Sequence, residues 1–228
     1  MPTPSFPFPP EPLVEGRVLV VISDIALWST GAESLSPEER IRADAISHPA
    51  NARAFVAGRA LARTGLARLL GLAPADIPIA IDEKSKPTLA LPTRLRFNLS
   101  HADEHVALAL ALGAEVGVDL EPTAPPDRDA VAEVVMTPAE LAAFLAIPPD
   151  ERDAAFLKLW TRKEAVMKAG GTGFSVDPRL LTVGTGPIRG PVAMPGFAAP
   201  FALADLPGPI AAAVALHAPS VEATLLRA

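Results

Sequence analysis

Two acidic residues lie two positions apart in the segment GVDLEP, which runs from Gly117 to Pro122. The apolar neighbours are typical of a buried strand, and side chains alternate along a strand, so Asp119 and Glu121 should point to the same face. Adjacent carboxylates repel one another unless a positive charge lies between them. The pair is therefore either a solvated strand face or a metal site. Two carboxylates that leave room for water and phosphate oxygens are an arrangement that Mg²⁺ favours.

A second group of charged residues lies in FLKLWTRKEAVMKAGG, from Phe156 to Gly171. At 3.6 residues per turn, the segment predicts a helix on which Trp160, Glu164 and Lys168 form one stripe. The helix should end at the two closing glycines, where a left-handed backbone costs little. Glu164 and Lys168 alone could be an ordinary ion pair on a solvated face. If the helix packs across the strand of the two carboxylates, Glu164 becomes a third candidate ligand, and Trp160 is expected to anchor the helix in the core.

The segment NLSHADEH offers Ser100 and His101. The G-x-S-x-G pattern of many serine hydrolases is absent, and the residues around the histidines do not match a zinc-binding helix. Either these two side chains donate hydrogen bonds to a phosphate group, or the segment is an ordinary turn. Upstream, Lys84 and Lys86 precede a proline in a loop, which alone is typical of a solvated pair of lysines.

Helices that could support these residues begin and end at clear signals. Ser36 and Pro37 open a helix, with Glu39 at the capping-box spacing. A longer helix follows Pro49 and should end at Gly71.

The strand that carries the two carboxylates has an apolar run before it. The runs Val106–Leu112 and Val116–Glu121 flank Gly113-Ala114-Glu115, and this spacing predicts that they pair as a hairpin. Pro122 should end the second strand because proline cannot donate to the ladder.

The second half of the chain repeats the order of helices followed by strands. Thr137-Pro138 opens a new helix, and the Gly- and Pro-rich tail 184–218 holds short apolar runs such as Ile210–Leu216, which predict strands. The sequence therefore predicts an α+β fold of two lobes of similar size. The predicted parts are a Pro-rich arm, an N-terminal lobe and a C-terminal lobe, at residues 1–12, 13–114 and 115–228.

Composition limits the class of protein. With 228 residues, half of them hydrophobic and a fifth charged, the chain should be globular. It has no apolar run long enough for a membrane span, no signal-peptide pattern and no cysteine, which together favour a cytoplasmic protein without a membrane partner. The net charge of −6 argues against nucleic-acid binding. Between Arg40 and Arg68, however, six arginines accompany one acid, Asp44, which indicates a local basic surface for a small polyanion.

Taken in order, the motifs resemble those of a known family. GVDLEP and LWTRKEAVMKAGG, preceded by RAFVAGRALAR, SKP and FNLSH, resemble the signature of the phosphopantetheinyl transferases of the surfactin-synthetase type. The resemblance runs from about Ser36 to Val183. It implies an enzyme that moves the phosphopantetheine arm of coenzyme A onto a serine of an apo acyl or peptidyl carrier protein and releases adenosine 3′,5′-bisphosphate. It also implies a monomer of two α+β lobes in a pseudo-twofold arrangement, with coenzyme A and Mg²⁺ in the cleft between them.

The resemblance also implies roles for individual residues. Asp119, Glu121 and Glu164 would hold Mg²⁺, and Glu164 would double as, or assist, the base that takes the proton of the carrier serine. Lys168 would contact the pyrophosphate and assist the leaving group. The remaining contacts to coenzyme A would come from Arg53, Lys86, Ser100 and His101.

Two positions depart from the family's pattern. Ala102 lies where a small hydroxyl residue is common, so one phosphate contact is in doubt. Glu39 lies where a basic residue is often found. The candidate substitutes for that residue are Arg53, which is preferred, and Arg40 and Arg42, between which the sequence gives no order.

Two other functions could use the same residues. A metal-dependent phosphoester hydrolase would need the three carboxylates but no protein acceptor. A catalytically silent relative would bind carrier proteins without a base or metal ligands. In the transferase interpretation, the carrier should dock near Val134–Phe144, where the side chains are mainly apolar, and it could serve fatty-acid, polyketide or peptide synthesis.

Overall fold

The computed structural model describes residues 6–7 and 12–227. Within this part the strands are β1 Arg17–Asp24, β2 Ile79–Ile81, β3 Pro87–Leu89, β4 Leu95–Ala102, β5 His105–Leu112, β6 Val116–Glu121, β7 Ala202–Asp205, β8 Ala211–Leu216 and β9 Glu222–Arg227. The α-helices are α1 Ile25–Trp28, α2 Pro37–Asp44, α3 Pro49–Leu70, α4 Arg128–Val135, α5 Pro138–Leu145 and α6 Arg152–Ala169. None of the helices in this part of the chain is long and apolar enough to cross a membrane.

Two sheets form the centre of the fold, and a short β2–β3 pair lies apart from them. Sheet 1 has the strand order β4-β5-β1-β9, in which β9 runs parallel to β1 and the other neighbours are antiparallel. Sheet 2 has the antiparallel order β6-β8-β7. The predicted α+β class is confirmed, and the last described strand returns to the sheet that contains the first.

Alternating side chains divide the core into layers. Val20 of β1 and Val118 of β6 belong to the apolar layer between the two sheets. Leu108 of β5 packs with residues of α3, and Ala213 of β8 packs with residues of α6. The order of layers is therefore α3, sheet 1, sheet 2 and α6, with each long helix on the outer face of one sheet.

Helix signals that act within one turn predicted the helix ends correctly. Ser36 and Glu39 form a complete capping box at the start of α2, and Thr137 and Glu140 form another at the start of α5. α3 ends at Gly71, whose φ of 68° is in the left-handed region.

The predicted hairpin between Val106–Leu112 and Val116–Glu121 is wrong. β5 pairs with β4 and β1, whereas β6 pairs with β8 in the other sheet. The tight hairpin instead joins β4 to β5 through Asp103 and Glu104, with Asp103 at a φ of 48°. The segment 113–115 carries the chain from sheet 1 to sheet 2, because a turn signal marks a change of direction but does not specify the next partner strand.

The predicted basic surface between Arg40 and Arg68 is wrong for the arginines at its centre. Arg63 is 1% exposed, and its guanidinium binds Glu39 and backbone carbonyls of residues 74–77. Arg59 is also buried, with its Nε 3.5 Å from a carboxylate oxygen of Glu39. Glu39 departs from the family's pattern because here it is the counter-ion of these two arginines.

The Pro-rich arm predicted at residues 1–12 falls mostly outside the described residues. Of the two described residues before position 12, Phe6 is buried in the core between α3 and sheet 1. Its ring occupies the space that a side chain at Gly65 would need.

A buried ion pair joins α5 to α6. Lys163 Nζ donates to Glu140 Oε2 at 2.7 Å and to two backbone carbonyls within residues 178–181. Glu140 Oε1 accepts the backbone N–H groups of Val183 and Gly184. Burial alone would raise the pKa of Glu140, but the backbone N–H groups and the Lys163 ammonium outweigh it, and the pKa is lowered. The carboxylate is therefore charged and fully bonded inside the protein.

Glu140→Ala should strongly destabilise the fold. The substitution leaves the Lys163 ammonium buried without its counter-charge, and we expect a loss of about 3–5 kcal/mol in the free energy of unfolding. Glu133→Ala, on an exposed position of α4, is the control and should change stability by less than about 0.5 kcal/mol. Urea unfolding at neutral pH measures both, and equal losses would contradict the assigned role of the ion pair.

α6 lies directly on β6 because Gly117 has no side chain. A Cβ at Gly117 would collide with the backbone carbonyl of Ala165 and the backbone nitrogen of Ala169. The neighbouring strand β8 also presents small residues to α6, namely Ala213 and Ala215. Helix and sheet therefore approach one another more closely here than side chains would normally permit.

Gly117→Ala should push α6 away from β6. We expect a loss of about 2 kcal/mol or more in the free energy of unfolding, because the new methyl group meets backbone atoms that cannot move alone. Gly58→Ala is the matched control: it adds the same methyl group inside α3, where the nearest atoms would be 3.8 Å away. That control should be neutral or stabilising by up to about 1 kcal/mol. Thermal unfolding of both variants tests the difference.

Candidate active site

Three of the predicted site residues meet, although they come from different elements. Ser100 lies near the end of β4, Asp119 lies in β6, and Lys168 lies in the last turn of α6. Lys168 Nζ donates to Asp119 Oδ1 at 2.6 Å and to Ser100 Oγ at 2.9 Å. Ser100 Oγ in turn donates to Asp119 Oδ1 at 3.0 Å. The Asp119 side chain is 5% exposed and that of Lys168 28%, so the ammonium lies between the interior and solvent.

The three residues meet where the edge strands of the two sheets lie side by side. β4 is the outer strand of sheet 1, and β6 is the outer strand of sheet 2. Asn98 Oδ1 accepts the backbone N–H of Val118 at 2.9 Å, so a side chain satisfies a strand edge that has no ladder partner there. We did not predict a role for Asn98, although alternation along β4 places it on the same face as Ser100.

The carboxyl groups of Asp119, Glu121 and Glu164 lie in one region, and the charge of Lys168 does not balance all three. Burial raises the pKa of Asp119, and Lys168 and Ser100 offset only part of this effect. Burial and the charge of Asp119 raise the pKa of Glu121. Burial also raises the pKa of Glu164 to about 7, with Lys168 opposing this effect and the other two carboxylates adding to it. These groups repel one another, which is the condition under which a cation binds.

The residues present fit a hard divalent cation. Asp119 Oδ2 is buried and has no hydrogen-bond partner, so one oxygen of this carboxylate is unused. Within the described residues, no three acidic or histidine side chains are already arranged to hold a metal ion together. Mg²⁺ does not require such a cage, because one or two carboxylates with water and phosphate oxygens suffice. The ligand set Asp119, Glu121 and Glu164 stays a prediction.

Trp160 packs at the edge of the core rather than within it. The indole is half-buried and stacks on Phe156 at 6.3 Å and on Phe174 at 6.1 Å between ring centroids. A hydrogen bond from Trp160 to Glu121 opposes the rise in the pKa of that carboxylate. The predicted position in the core is therefore wrong: the ring packs against the edge of the core, where it also contacts a site carboxylate.

His101 and Arg53 lie outside the bonded cluster. His101 is exposed at the end of β4, but protein atoms surround part of its ring. This partial burial is the main cause that lowers its pKa, and the charge of Lys168 adds to it. Arg53 is exposed near the N-terminal end of α3. Their predicted contacts with coenzyme A stay predictions.

Lys86 is not the solvated loop lysine that its local sequence favoured. Its Nζ donates to Glu115 Oε2 and to the backbone carbonyl of Lys168, both at 3.0 Å, and the side chain is 11% exposed. Glu115 also accepts a bond from Arg96 Nε at 2.8 Å. Lys86 thus connects the β2–β3 loop to the C-terminal end of α6, and Glu115 joins this lysine to Arg96 of β4. No local pattern in the sequence predicts this role, because the partners are far apart along the chain.

Comparisons with known proteins define the class. The model of the 4′-phosphopantetheinyl transferase N-terminal family matches residues 24–112, and that of the 4′-phosphopantetheinyl transferase superfamily matches residues 115–200. The two matches together cover well over half of the chain and contain all the predicted site residues. The chain therefore belongs to the 4′-phosphopantetheinyl transferase superfamily.

Curated relatives of this chain have the same family name. The 4′-phosphopantetheinyl transferase HetI of Nostoc sp. is 32% identical over 148 residues, which cover 63% of this chain and 62% of that protein. The 4′-phosphopantetheinyl transferase Sfp of Bacillus subtilis is 30% identical over 142 residues, 62% of each. The 4′-phosphopantetheinyl transferase AcpT of Salmonella typhi is 38% identical over 131 residues, 55% of this chain and 65% of that protein. The match thus spans a little less than two thirds of the length of each relative.

The raised pKa of Glu164 predicts how stability depends on pH without metal. Between pH 4.5 and about 7 the folded state holds a proton on Glu164 that the unfolded state releases. The free energy of unfolding should therefore fall as the pH rises through this window. Glutamine does not titrate, so the free energy of unfolding of Glu164→Gln should rise relative to that of wild type when the pH is raised from 5 to 8. Since water screens part of the pKa shift at a half-buried side chain, we expect this rise to be about 1–2 kcal/mol.

Urea unfolding in the presence of a chelator measures this difference at the two pH values. Glu133→Gln, at an exposed position of α4, is the control and should track wild type at both. A difference between Glu164→Gln and wild type that does not change with pH would show that the carboxyl group titrates normally.

Proposed function

We propose that this protein transfers the phosphopantetheine arm of coenzyme A to a serine of an apo acyl or peptidyl carrier protein and releases adenosine 3′,5′-bisphosphate. One observation carries the proposal: Ser100, Asp119 and Lys168, which lie in segments matched by the family, are joined by direct hydrogen bonds. A hydroxyl group, a carboxylate with an unused buried oxygen and an ammonium group suit a pyrophosphate that arrives with a cation.

For the whole fold, we propose two similar lobes related by a pseudo-twofold axis, with coenzyme A in the cleft between them. The lobes would comprise residues 13–114 and 115–228. In support, each sheet carries one long helix on its outer face, α3 on sheet 1 and α6 on sheet 2. β9 would be an extension that returns to the first lobe, since it pairs with β1.

Mg²⁺ is the proposed cation, and Asp119, Glu121 and Glu164 are its proposed ligands. Bound there, it would neutralise the pyrophosphate and act as a Lewis acid. The unused oxygen of Asp119 and the raised pKa values of all three carboxylates support this assignment.

In the proposed reaction, the hydroxyl oxygen of the carrier serine attacks the phosphorus atom that bears the pantetheine arm. A phosphorus–oxygen bond to serine forms while the bond to the adenosine-side phosphate breaks, and that phosphate leaves with the electron pair. Glu164 is the proposed base that takes the serine proton, since a carboxylate within hydrogen-bond reach of a hydroxyl group makes its oxygen a better nucleophile. Lys168, one turn further along α6, supplies positive charge to the leaving phosphate.

Ser100, His101, Lys86 and Arg53 are the proposed further ligands of coenzyme A. Ser100 already accepts a bond from Lys168, so an anion that reaches one is within reach of the other. His101, neutral because its pKa is lowered, still has one N–H group to donate. Lys86 would have to exchange Glu115 for phosphate, and Arg53 is free to approach from the exposed end of α3.

The proposed carrier surface lies around Val134–Phe144, where α4 and α5 meet. Val134 is 62% exposed and the nearby Leu145 is 47% exposed, which leaves apolar side chains available to a partner. We further propose that the protein acts as a cytoplasmic monomer, with no nucleic-acid or membrane partner.

The intact mass of an apo carrier protein tests the function. After incubation with this protein, coenzyme A and Mg²⁺, the carrier should gain the mass of one phosphopantetheine arm. The gain should disappear with a chelator, because the pyrophosphate is then not neutralised, and should fall at least about 100-fold in rate with Glu164→Gln, which removes the base. Asp76→Asn, at an exposed position after α3 and away from both the site and the proposed carrier surface, is the control and should react at the wild-type rate.

Two negative outcomes separate the alternatives. No gain of mass across fatty-acid, polyketide and peptide carriers, but breakdown of coenzyme A, would favour a phosphoester hydrolase. Carrier binding without a gain of mass and without breakdown would favour a catalytically silent relative.

A further inference from the structure

The Lys168 ammonium and Asp119 form the shortest charged contact of the site. Nζ lies 2.6 Å from Asp119 Oδ1, and the same ammonium donates to Ser100. Asp119 Oδ1 therefore accepts two hydrogen bonds, whereas Asp119 Oδ2 is buried and has none. The carboxylate is neutralised on one oxygen and unsatisfied on the other.

This ammonium is positioned to oppose a second cation. A metal ion bound at Asp119 Oδ2 would share one carboxylate with the Lys168 charge, and at such a short range in a poorly solvated site two positive charges repel strongly. The carboxylates of Glu121 and Glu164 attract the metal ion, but Lys168 also lowers their pKa values and so already interacts with them.

We propose that Lys168 is the resident counter-cation of Asp119, so that a divalent cation binds weakly to the protein alone and tightly only when an anion draws the ammonium away. The inference rests on the proposed function, which supplies the anion in the pyrophosphate of coenzyme A. Lysine suits this role because its ammonium is a compact point charge on a flexible stem. The side chain is 28% exposed, so it has solvent on one side into which it can move.

Other lysines of the chain are held too firmly to act in this way. Lys163 is completely buried and donates three bonds to protein oxygens. Lys86 is held between Glu115 and a backbone carbonyl at the end of α6. Lys168 alone among these three faces a carboxylate that has an unused oxygen.

A thermodynamic consequence follows for metal and coenzyme A. If the anion moves the ammonium from Asp119, it removes the charge that repels the metal, and by linkage the metal favours the anion equally. Each should therefore bind more tightly in the presence of the other, and part of this coupling should depend on the charge at position 168.

Binding of Mn²⁺, measured by electron paramagnetic resonance without any carrier protein, tests the proposal. Lys168→Gln removes the charge but keeps a hydrogen-bond donor, so in the absence of coenzyme A it should bind Mn²⁺ about tenfold more tightly than wild type. Lys168→Arg keeps the charge and should stay weak. Lys158→Gln is the matched control on the same helix, where the lysine lies 3.6 Å from Asp205, and it should match wild type.

Coenzyme A should then tighten Mn²⁺ binding more in wild type than in Lys168→Gln. Equal or weaker Mn²⁺ binding by Lys168→Gln would overturn the proposal, as would equal coupling in both proteins. If neither protein binds Mn²⁺ at all, both the ligand set and this inference are wrong. Carrier modification is measured separately. If Lys168→Gln binds Mn²⁺ tenfold more tightly than wild type but wild type modifies no carrier protein, the role of Lys168 as counter-cation is supported and the proposed transferase function is wrong.

A measurement on wild type covers the case in which Lys168→Gln does not fold. The chain has five lysines, so the ε-carbon resonances of ¹³C-labelled lysine can be assigned one by one. The resonance of Lys168 should shift when coenzyme A is added in the presence of a chelator, while that of Lys163 should not. An unchanged Lys168 resonance with coenzyme A bound would contradict the proposal.

Discussion

The contact of α6 with β6 over Gly117 is the constraint on which the site depends. Because residue 117 has no side chain, the backbone of the helix reaches the backbone of the strand at Ala165 and Ala169. The next residue of β6 on the same face is Asp119, and the helix residue between those two alanines that reaches it is Lys168. A single missing methyl group thus sets the distance between the two charged residues, and any side chain at position 117 would separate them.

Neighbouring positions on α6 show how the chain separates structural charge from functional charge. Arg162 is fully buried and binds both oxygens of Asp205, and Lys163 binds Glu140 and two carbonyls. Every charge there is matched. One residue later, Glu164 has a pKa raised to about 7 and is repelled by the other site carboxylates. Unmatched charge on a helix that is otherwise fully satisfied is typical of a functional site, because stability alone would remove it.

Much of this arrangement is predictable where the physics is local. The capping boxes at Ser36 and Thr137, the glycine end of α3 and the common face of Asp119 and Glu121 follow from rules that act within one turn or along one strand. The strand that pairs with β6 cannot be predicted from such local rules, because the turn signal at 113–115 is compatible with a place for β6 in either sheet. Local rules also do not predict the ion pair between Glu39 and Arg63, because these residues lie in two different helices and the sequence does not determine whether those helices bring them into contact.

The residues that sequence reasoning missed share one property: each acts across the boundary between elements. Asn98 satisfies an edge N–H of the neighbouring sheet, and Glu115 binds the loop lysine Lys86, which itself donates to a backbone carbonyl at the end of α6. Asn98 compensates for the fact that β6 is a strand edge without a ladder partner where it meets β4. Such edges must be satisfied by side chains, and here Asn98, two residues before Ser100, holds the backbone N–H of Val118, the residue before Asp119. The junction of the two strand edges is therefore also the place where the fold holds a hydroxyl group, a carboxylate and an ammonium group together.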